Sequence, residues 1–340
     1  MDTTEKGRIS NDMFQPAEIE KGKAEEITMD NTGFWKDSWR RMLKNKGAVF
    51  GLICILFFIV MALVGPELNP FSYKEQHIAH QFLPPKVPVL ANVHWLPFDG
   101  YAHGVDQYKT RGVDTSYWFG SDEFGRDQWT RVWKGTQISL FIAFVASFID
   151  FLIGVAYGGI SGYFGGKVDN VMQRFIEVLV GIPNLILIIL ILLFIGGGIW
   201  SIILALIISN WIGMARIVRG QVIKLKKEEF VLGSKTLGAS HTKVIIKGLL
   251  PNTMAQIIIT TMFTIPNAIF FEAFLSFIGL GLTPPTASLG TLINDGFQSL
   301  STNPYLVIYP GVVISLLLIS FNLLGDGLRD AFDPKMREGD

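Results

Sequence analysis

Glu229-Phe230-Val231-Leu232-Gly233-Ser234-Lys235-Thr236-Leu237-Gly238-Ala239-Ser240, running on to Leu249-Leu250-Pro251-Asn252, is a polar, helix-forming insert between two long apolar stretches. Glu228 and Glu229 open it with carboxylates, which a helix start favours. Gly238 breaks the helical pattern, because glycine alone enters left-handed backbone angles freely. Ser240 then suits the cap of a second short helix. That helix is expected to run to about Leu249, with Pro251 in the first turn of the span that follows. A chain that only crosses lipid does not need such a loop. The residues predict either a helix, hinge, helix lever gripped by a soluble partner, or an amphipathic loop whose lysines, from Lys224 to Lys247, face anionic lipid.

Outward from this insert, composition sets the class. The chain has 340 residues, 49% of them hydrophobic and 17% charged, and its mean hydropathy is +0.39. That is more apolar than an ordinary soluble domain. The net charge is zero and the charges are segregated into tails and loops, so nothing points to a nucleic-acid partner. A single cysteine, Cys54, allows no internal disulfide. The first apolar run begins only near residue 47, too late for the hydrophobic region of a cleavable leader.

Uncharged runs of the roughly 20 residues that a helix needs to cross a bilayer fall at about 47–65, 137–162, 172–195, 199–215, 253–280 and 304–325. Six spans are expected, with Gly196-Gly197-Gly198 dividing the third from the fourth. Arg40, Arg41, Lys44 and Lys46, the basic stretch from Arg216 to Lys247, and Arg329, Lys335 and Arg337 assign their ends to the cytoplasm by the positive-inside rule. Both termini are then cytoplasmic. Residues 1–32 read as a mobile tail. Residues 33–46 read as an interfacial amphipathic helix on Phe34, Trp35, Trp39, Met42 and Leu43. After the first span at 47–65, residues 66–135 form an external subdomain, where Pro84-Pro85, Pro88 and Pro97 oppose a long helix. The core at 136–325 carries five spans and the cytoplasmic loop 217–250, and 326–340 is a cytoplasmic tail.

Four glycines, Gly154, Gly158, Gly162 and Gly166, recur every four residues and predict close helix packing, against a helix either of this chain or of a partner. Asp150, Glu177 and Glu272 are carboxylates at or near membrane depth, a default hint of function. Glu272, with Pro266 and Asn267 nearby, is the candidate for a polar passage, and an internal hydrogen bond is the competing reading. Glu177 has Arg174 three residues away on the same helix face. His77, His80, His94 and His103 fall in the external loop without the spacing of a zinc site and read as solvated. No metal or cofactor is called for. No G-x-x-x-x-G-K-[ST] stretch, nucleophile elbow or H-E-x-x-H pattern occurs, so the chain itself is not expected to hydrolyse ATP or to be an enzyme.

Four segments carry a resemblance. Glu229, Phe230, Val231, Leu237, Gly238, Ala239 and Ser240, then Leu250, Pro251 and Asn252, resemble the pattern E-[FY]-V-x-A-A-x-x-L-G-A-S followed by L-P-N, departing from it at Leu232, Gly233 and Ser234. Phe119 to Asp127 resembles F-G-T-D-x-x-G-R-D. Ala273 to Gly281 with Pro284-Pro285, and Asn322 to Asp330 with Asp333-Pro334, resemble a fifth-span exit and a C-terminal signature. Together they cover about 34–337 and resemble the C-type permeases of oligopeptide and dipeptide ABC importers.

The resemblance implies an all-α membrane protein of six spans, with a type I ABC importer permease (MetI-like) core and an inserted external loop. It implies a bacterial plasma-membrane importer of peptides, oligopeptides above all, with dipeptides and nickel chelates as alternatives. The implied partners are a homologous second permease, two cytosolic ATP-binding subunits docked on the loop, an extracellular or periplasmic peptide-binding protein, and membrane lipid. Glu229 and Phe230 on the first short helix, Gly238 as hinge, and Ala239 and Ser240 starting the second would carry the coupling, with Leu250, Pro251 and Asn252 behind them. The rival is an ion-coupled transporter using Asp150 and Glu272.

Overall fold

The computed structural model describes residues 34–89, 97–102 and 104–333. The expected tail 1–32, His94, His103, Pro334, Lys335 and Arg337 lie outside the described residues. The chain divides into Met1–Asp37 and Ser38–Asp340. Of the first unit, the described residues are the start of helix α1 (Phe34–Lys44). In the second unit the rest of α1 buries Ser38 and Met42 and leaves Trp39 and Leu43 exposed.

Asn45 ends α1 and starts α2 (Lys46–Val64), its side chain accepting from the N–H of Gly47 at 3.0 Å and of Ala48 at 3.2 Å. The long insert that follows is built around Leu83, Tyr108, Val113 and Tyr117. It holds a small antiparallel pair, β1 (Tyr101–Ala102) and β2 (Val105–Asp106), and a one-turn helix α3 (Gln107–Arg111). Asp127 then caps α4 (Gln128–Phe164), accepting from the Thr130 N–H at 2.7 Å. The helix therefore begins inside the stretch 66–135 that the sequence assigns to the external loop.

Among the described residues, five helices are long and apolar enough to cross a membrane: Lys46–Leu68, Gln128–Phe164, Ile199–Leu225, His241–Phe277 and Tyr305–Phe332. A sixth is counted when α5 (Gly166–Val180) and α6 (Asn184–Ile195), bent by 76°, are taken as one broken span. This corrects the expected continuous third span at 172–195. Pro183 has no N–H to give and its ring disfavours helical angles at the residue before it, and its own ψ of 125° turns the chain.

Helix α7 (Ile199–Leu225) also runs further than the expected 199–215, because Val218 and Val222 continue its buried face beyond the basic residues. After the quoted loop come α10 (Leu250–Phe277), α11 (Leu289–Phe297) and α12 (Tyr305–Phe332). Helix α4 is central: it lies along α7 for most of its length and also meets α10, α2 and α11, while α12 packs on α2, α10 and α11. In lipid the association of such helices rests on close packing rather than on water exclusion. The α4–α7 seam achieves it with glycines. A Cβ at Gly154 would stand 2.6 Å from the Met214 Cβ, one at Gly158 would overlap the Ala215 carbonyl oxygen, and one at Gly162 would stand 2.8 Å from the Arg219 oxygen. The neighbour of the ladder is thus in this chain. Gly166 is not part of it: α4 has ended, and a Cβ there meets nothing within 4 Å.

Candidate functional site

The quoted stretch folds as an elbow. Its first arm is α8 (Glu229–Thr236), with Glu228 at the cap position in extended geometry and no side-chain cap bond. The arm ends on Gly238 at φ +78°. There the Gly238 N–H bonds the Lys235 carbonyl at 3.0 Å and the Ala239 N–H bonds that of Ser234 at 3.0 Å, the paired closure that a left-handed glycine makes at a helix end. Nothing lies within 4 Å of where a Gly238 Cβ would be. It is the backbone angle, not space, that requires glycine.

The second arm starts at Ser240, whose hydroxyl accepts from the Lys243 N–H at 3.4 Å, and continues as α9 (His241–Lys243). It does not stop near Leu249 as expected. A π turn over Val244–Leu249 carries it directly into α10. Pro251 explains the wider turn: with no N–H, and a ring that crowds the carbonyl four residues back, it disfavours a tight α turn there. Asn252 donates its side-chain N–H to the Gly248 carbonyl at 2.7 Å, and Leu250 is half-buried while Pro251 and Asn252 are exposed.

Only one face of α8 is held. Val231 is 1% exposed and packs with Tyr163, Val222, Val244 and Leu249 in a cluster of its own. Glu229 is exposed, and Phe230, Leu232 and Leu237 are exposed by 45%, 51% and 90%. The last turn of α4 reaches this elbow although it is far away in sequence. The Tyr163 hydroxyl lies 2.7 Å from His241 Nδ1, and Lys235 Nζ stands 4.9 Å from the centre of the Tyr163 ring. Lys226 Nζ donates to the Gly162 carbonyl at 2.8 Å. Beside it Asp169 accepts from the Arg219 guanidinium at 2.6 Å twice and from the Ser161 hydroxyl at 2.5 Å.

Pro266, Asn267 and Glu272 do not come together. Pro266 is buried, Asn267 is exposed, and Glu272 is fully enclosed. The Glu272 carboxylate accepts from Ser139 at 2.7 Å and from Ser276 at 2.8 Å. Ser288 stands 3.4 Å from Ser276, and the Leu289 N–H donates to Ser139 at 3.3 Å. In this conformation the group ties α4, α10 and the start of α11 together. Asp150 is 1% exposed, and neither oxygen has a hydrogen-bond partner among the described residues. Glu177 accepts from Arg174 at 2.6 Å on an exposed face.

At the insert end of α4 lies a cluster that the sequence reading missed. Asp122 accepts from the N–H groups of Phe124 and Arg126 at 2.9 Å, from Arg126 Nε at 2.6 Å and from Arg131 Nη1 at 2.5 Å. Arg131 Nη2 also donates to Asp295 of α11 at 3.2 Å. Both arginines are buried. Burial, outweighing the Thr130 bonds, pushes the Asp127 carboxyl up to about 6. Burial first, then the neighbouring acids, raises Glu123, and burial raises Asp295. The signal was faint: Arg131 and Asp295 are charges next to apolar helix, but 164 residues separate them. A cavity of about 460 Å³ opens beside Arg126, Arg131 and Asp295.

Of the described loop histidines, His80 is not simply solvated, contrary to the expectation. His80 Nδ1 is 2.8 Å from the Tyr117 hydroxyl, its ring stacks on His77 at 5.3 Å, and burial followed by His77 lowers its pKa. Among the described residues no three His, Cys, Asp or Glu side chains gather as a metal group would.

Residues 154–338 match the family model described as the binding-protein-dependent transport system inner membrane component, and 33–85 match that of the N-terminal transmembrane domain of oligopeptide transport permease C. The chain is 44% identical to a dipeptide transport system permease protein of Bacillus subtilis, over 97% of this chain and 95% of the relative. It is 39% identical to an oligopeptide transport system permease protein of the same organism, over 97% and 99%. A solved inward-facing methionine ABC transporter aligns at 20% identity and a TM-score of 0.49, over 59% of this chain and 96% of the other. With an all-helical multi-pass core and a family match over more than half its length, the chain belongs to the inner-membrane components of binding-protein-dependent transport systems.

Proposed function

We propose that the chain is the permease subunit of a peptide importer driven by ATP, and that its elbow is where the energy enters. The observation that carries the reading is the elbow itself. One face of α8 is anchored through Val231, and the opposite face exposes Phe230, Leu232 and Leu237 beside Glu229. A membrane bundle gains nothing from presenting such side chains to water, and a soluble partner that buries them gains apolar area. On this reading the elbow and both termini face the cytoplasm, where two ATP-hydrolysing subunits dock. A homologous permease completes the pathway and an external binding protein delivers peptide. ATP binding closes the docked pair, swings the arms about Gly238 and tilts the spans, a rigid-body form of alternating access.

Relatives of both the dipeptide and the oligopeptide kind match this chain over nearly its whole length, which supports peptide as the cargo class. Competition of labelled trialanine uptake by peptides of increasing length then assigns the preferred size. The test of the function is copurification. The detergent-extracted chain is expected to bring down an ATP-hydrolysing subunit, and Gly238→Pro is expected to lose it, since proline cannot take a positive φ. Peptide uptake that persists after every such subunit is removed, and that follows an ion gradient instead, replaces the reading with the ion-coupled one.

A further inference from the structure

We propose that Tyr163, in the last turn of α4, is a positioning residue that senses the angle between the two arms of the elbow and passes it to the α4–α7 pair. The proposal rests on the reading of the elbow given under Proposed function. By sequence the elbow joins α7 to α10, so force would be expected in those two helices. The contacts add a third route. Tyr163 touches the first arm through Lys235, whose Nζ stands 4.9 Å from its ring centre, and the second through His241, 2.7 Å from its hydroxyl. The two contacts straddle Gly238. A hydrogen bond weakens within a few tenths of an ångström, so any swing of one arm relative to the other must alter at least one of them.

What Tyr163 receives, α4 can transmit. Behind it, Gly154, Gly158 and Gly162 seat α4 against α7 so closely that no Cβ fits at any of the three, and a seam of that kind does not slide. Its 37 residues span about 54 Å at the rise of an α-helix. Along that length α4 holds Glu272 through Ser139, and near its far end Asp122 and Asp295 through Arg131. One rigid element therefore links the elbow to the opposite end of the bundle.

The test uses the complete transporter in liposomes, with trialanine uptake and ATP hydrolysis measured together. Tyr163→Phe keeps the ring, its packing and the Lys235 contact, and removes only the hydroxyl. It is expected to leave hydrolysis within about twofold and to lower peptide moved per ATP about fivefold, the worth of one hydrogen bond. His241→Leu should do the same, and His241→Asn, which keeps an acceptor near Nδ1, should recover most of the loss. The double variant Tyr163→Phe with His241→Leu should be no worse than either alone, as expected when two changes remove one shared interaction. Unchanged peptide per ATP in Tyr163→Phe, or additive losses in the double variant, overturns the proposal while leaving the permease reading intact. A wild-type chain that carries no ATP-hydrolysing partner overturns both.

Discussion

The two ends of α4 are held to different degrees. At the insert end, Arg131 sits between Asp122 and Asp295, with Arg126 on the same Asp122 carboxylate, and three of these four side chains are buried. Around them aromatic rings stack, with Phe119 on Tyr309 at 4.1 Å and beside Trp129 at 4.7 Å. At the elbow end the same helix is met by a tyrosine–histidine bond, a lysine over a ring, one lysine on a backbone carbonyl and, through Ser161, the Asp169–Arg219 pair, whose arginine is 31% exposed. Buried charges that share a carboxylate are hard to separate, whereas contacts worth about 1 kcal/mol each, and an ion pair that water still reaches, exchange more readily. The difference teaches that the insert end is built as a clamp and the elbow end as a joint.

The comparison breaks first at the clamp. Asp122→Ala leaves Arg126 and Arg131 buried without their shared carboxylate and orphans two backbone N–H groups. Removing one partner of a buried pair costs about 3–5 kcal/mol, the largest effect expected anywhere in the chain. A fall of the melting midpoint in detergent, or failure to recover folded protein, is the measurement; a midpoint within a degree of wild type would show that the cluster clamps nothing. Next comes the seam between the two ends. Gly158→Ala puts a methyl group onto the Ala215 oxygen with the Val218 Cβ at 2.9 Å, and overpacking of that kind costs about 1–3 kcal/mol. Gly220→Ala, in α7 where the backbone is helical and a Cβ meets nothing within 4 Å, should be tolerated far better in the same melting assay.

How much of this could be read in advance follows the same division. The elbow was legible because its determinants are local: carboxylates, a glycine and a serine within a dozen positions fix two arms and a left-handed joint between them. The clamp was not, since Arg131 meets Asp295 across 164 residues, and Tyr163 meets His241 across 78. No periodicity encodes such pairs. Asn267 and Glu272 part for a related reason. They are neighbours in sequence, yet five positions rotate a helix by roughly 140°, so one faces outward and the other inward. The glycine period ran one step too far because α4 ends at Gly165 with φ +67°, and a ladder needs a helix to stand on. The third span bends where a proline overrides an otherwise unbroken apolar run.

Acidity probes the clamp more gently. Asp127 caps α4 while burial holds its carboxyl at about 6 instead of its ordinary 3.8. An acid whose folded value is raised keeps its proton longer in the folded protein than in the unfolded chain, so stability is greatest below pH 4 with respect to this group and declines as pH rises from about 4 to 6. The decline should amount to about 3 kcal/mol at most. Asp127→Asn retains a capping oxygen for Thr130 and should flatten that part of the melting profile. A variant profile that still falls across the same window would assign the dependence to Glu123 or Asp295 instead.

The smallest effect should be at the joint, and it should be local. Gly238→Ala meets no neighbour, so its only penalty is the left-handed angle, about 1 kcal/mol for a residue with a Cβ. Because α8 is held on one face alone, that penalty is expected to fray the first arm without loosening the bundle. Hydrogen exchange at amides 231–238 should then speed up about fivefold, while the α4–α7 seam keeps its protection and the melting midpoint stays put. Gly238→Asn, which tolerates the same angle better, should fall between alanine and wild type. If instead Gly238→Ala lowers the global midpoint as far as Gly158→Ala does, the elbow is welded into the core, and the contrast between clamp and joint does not describe this molecule.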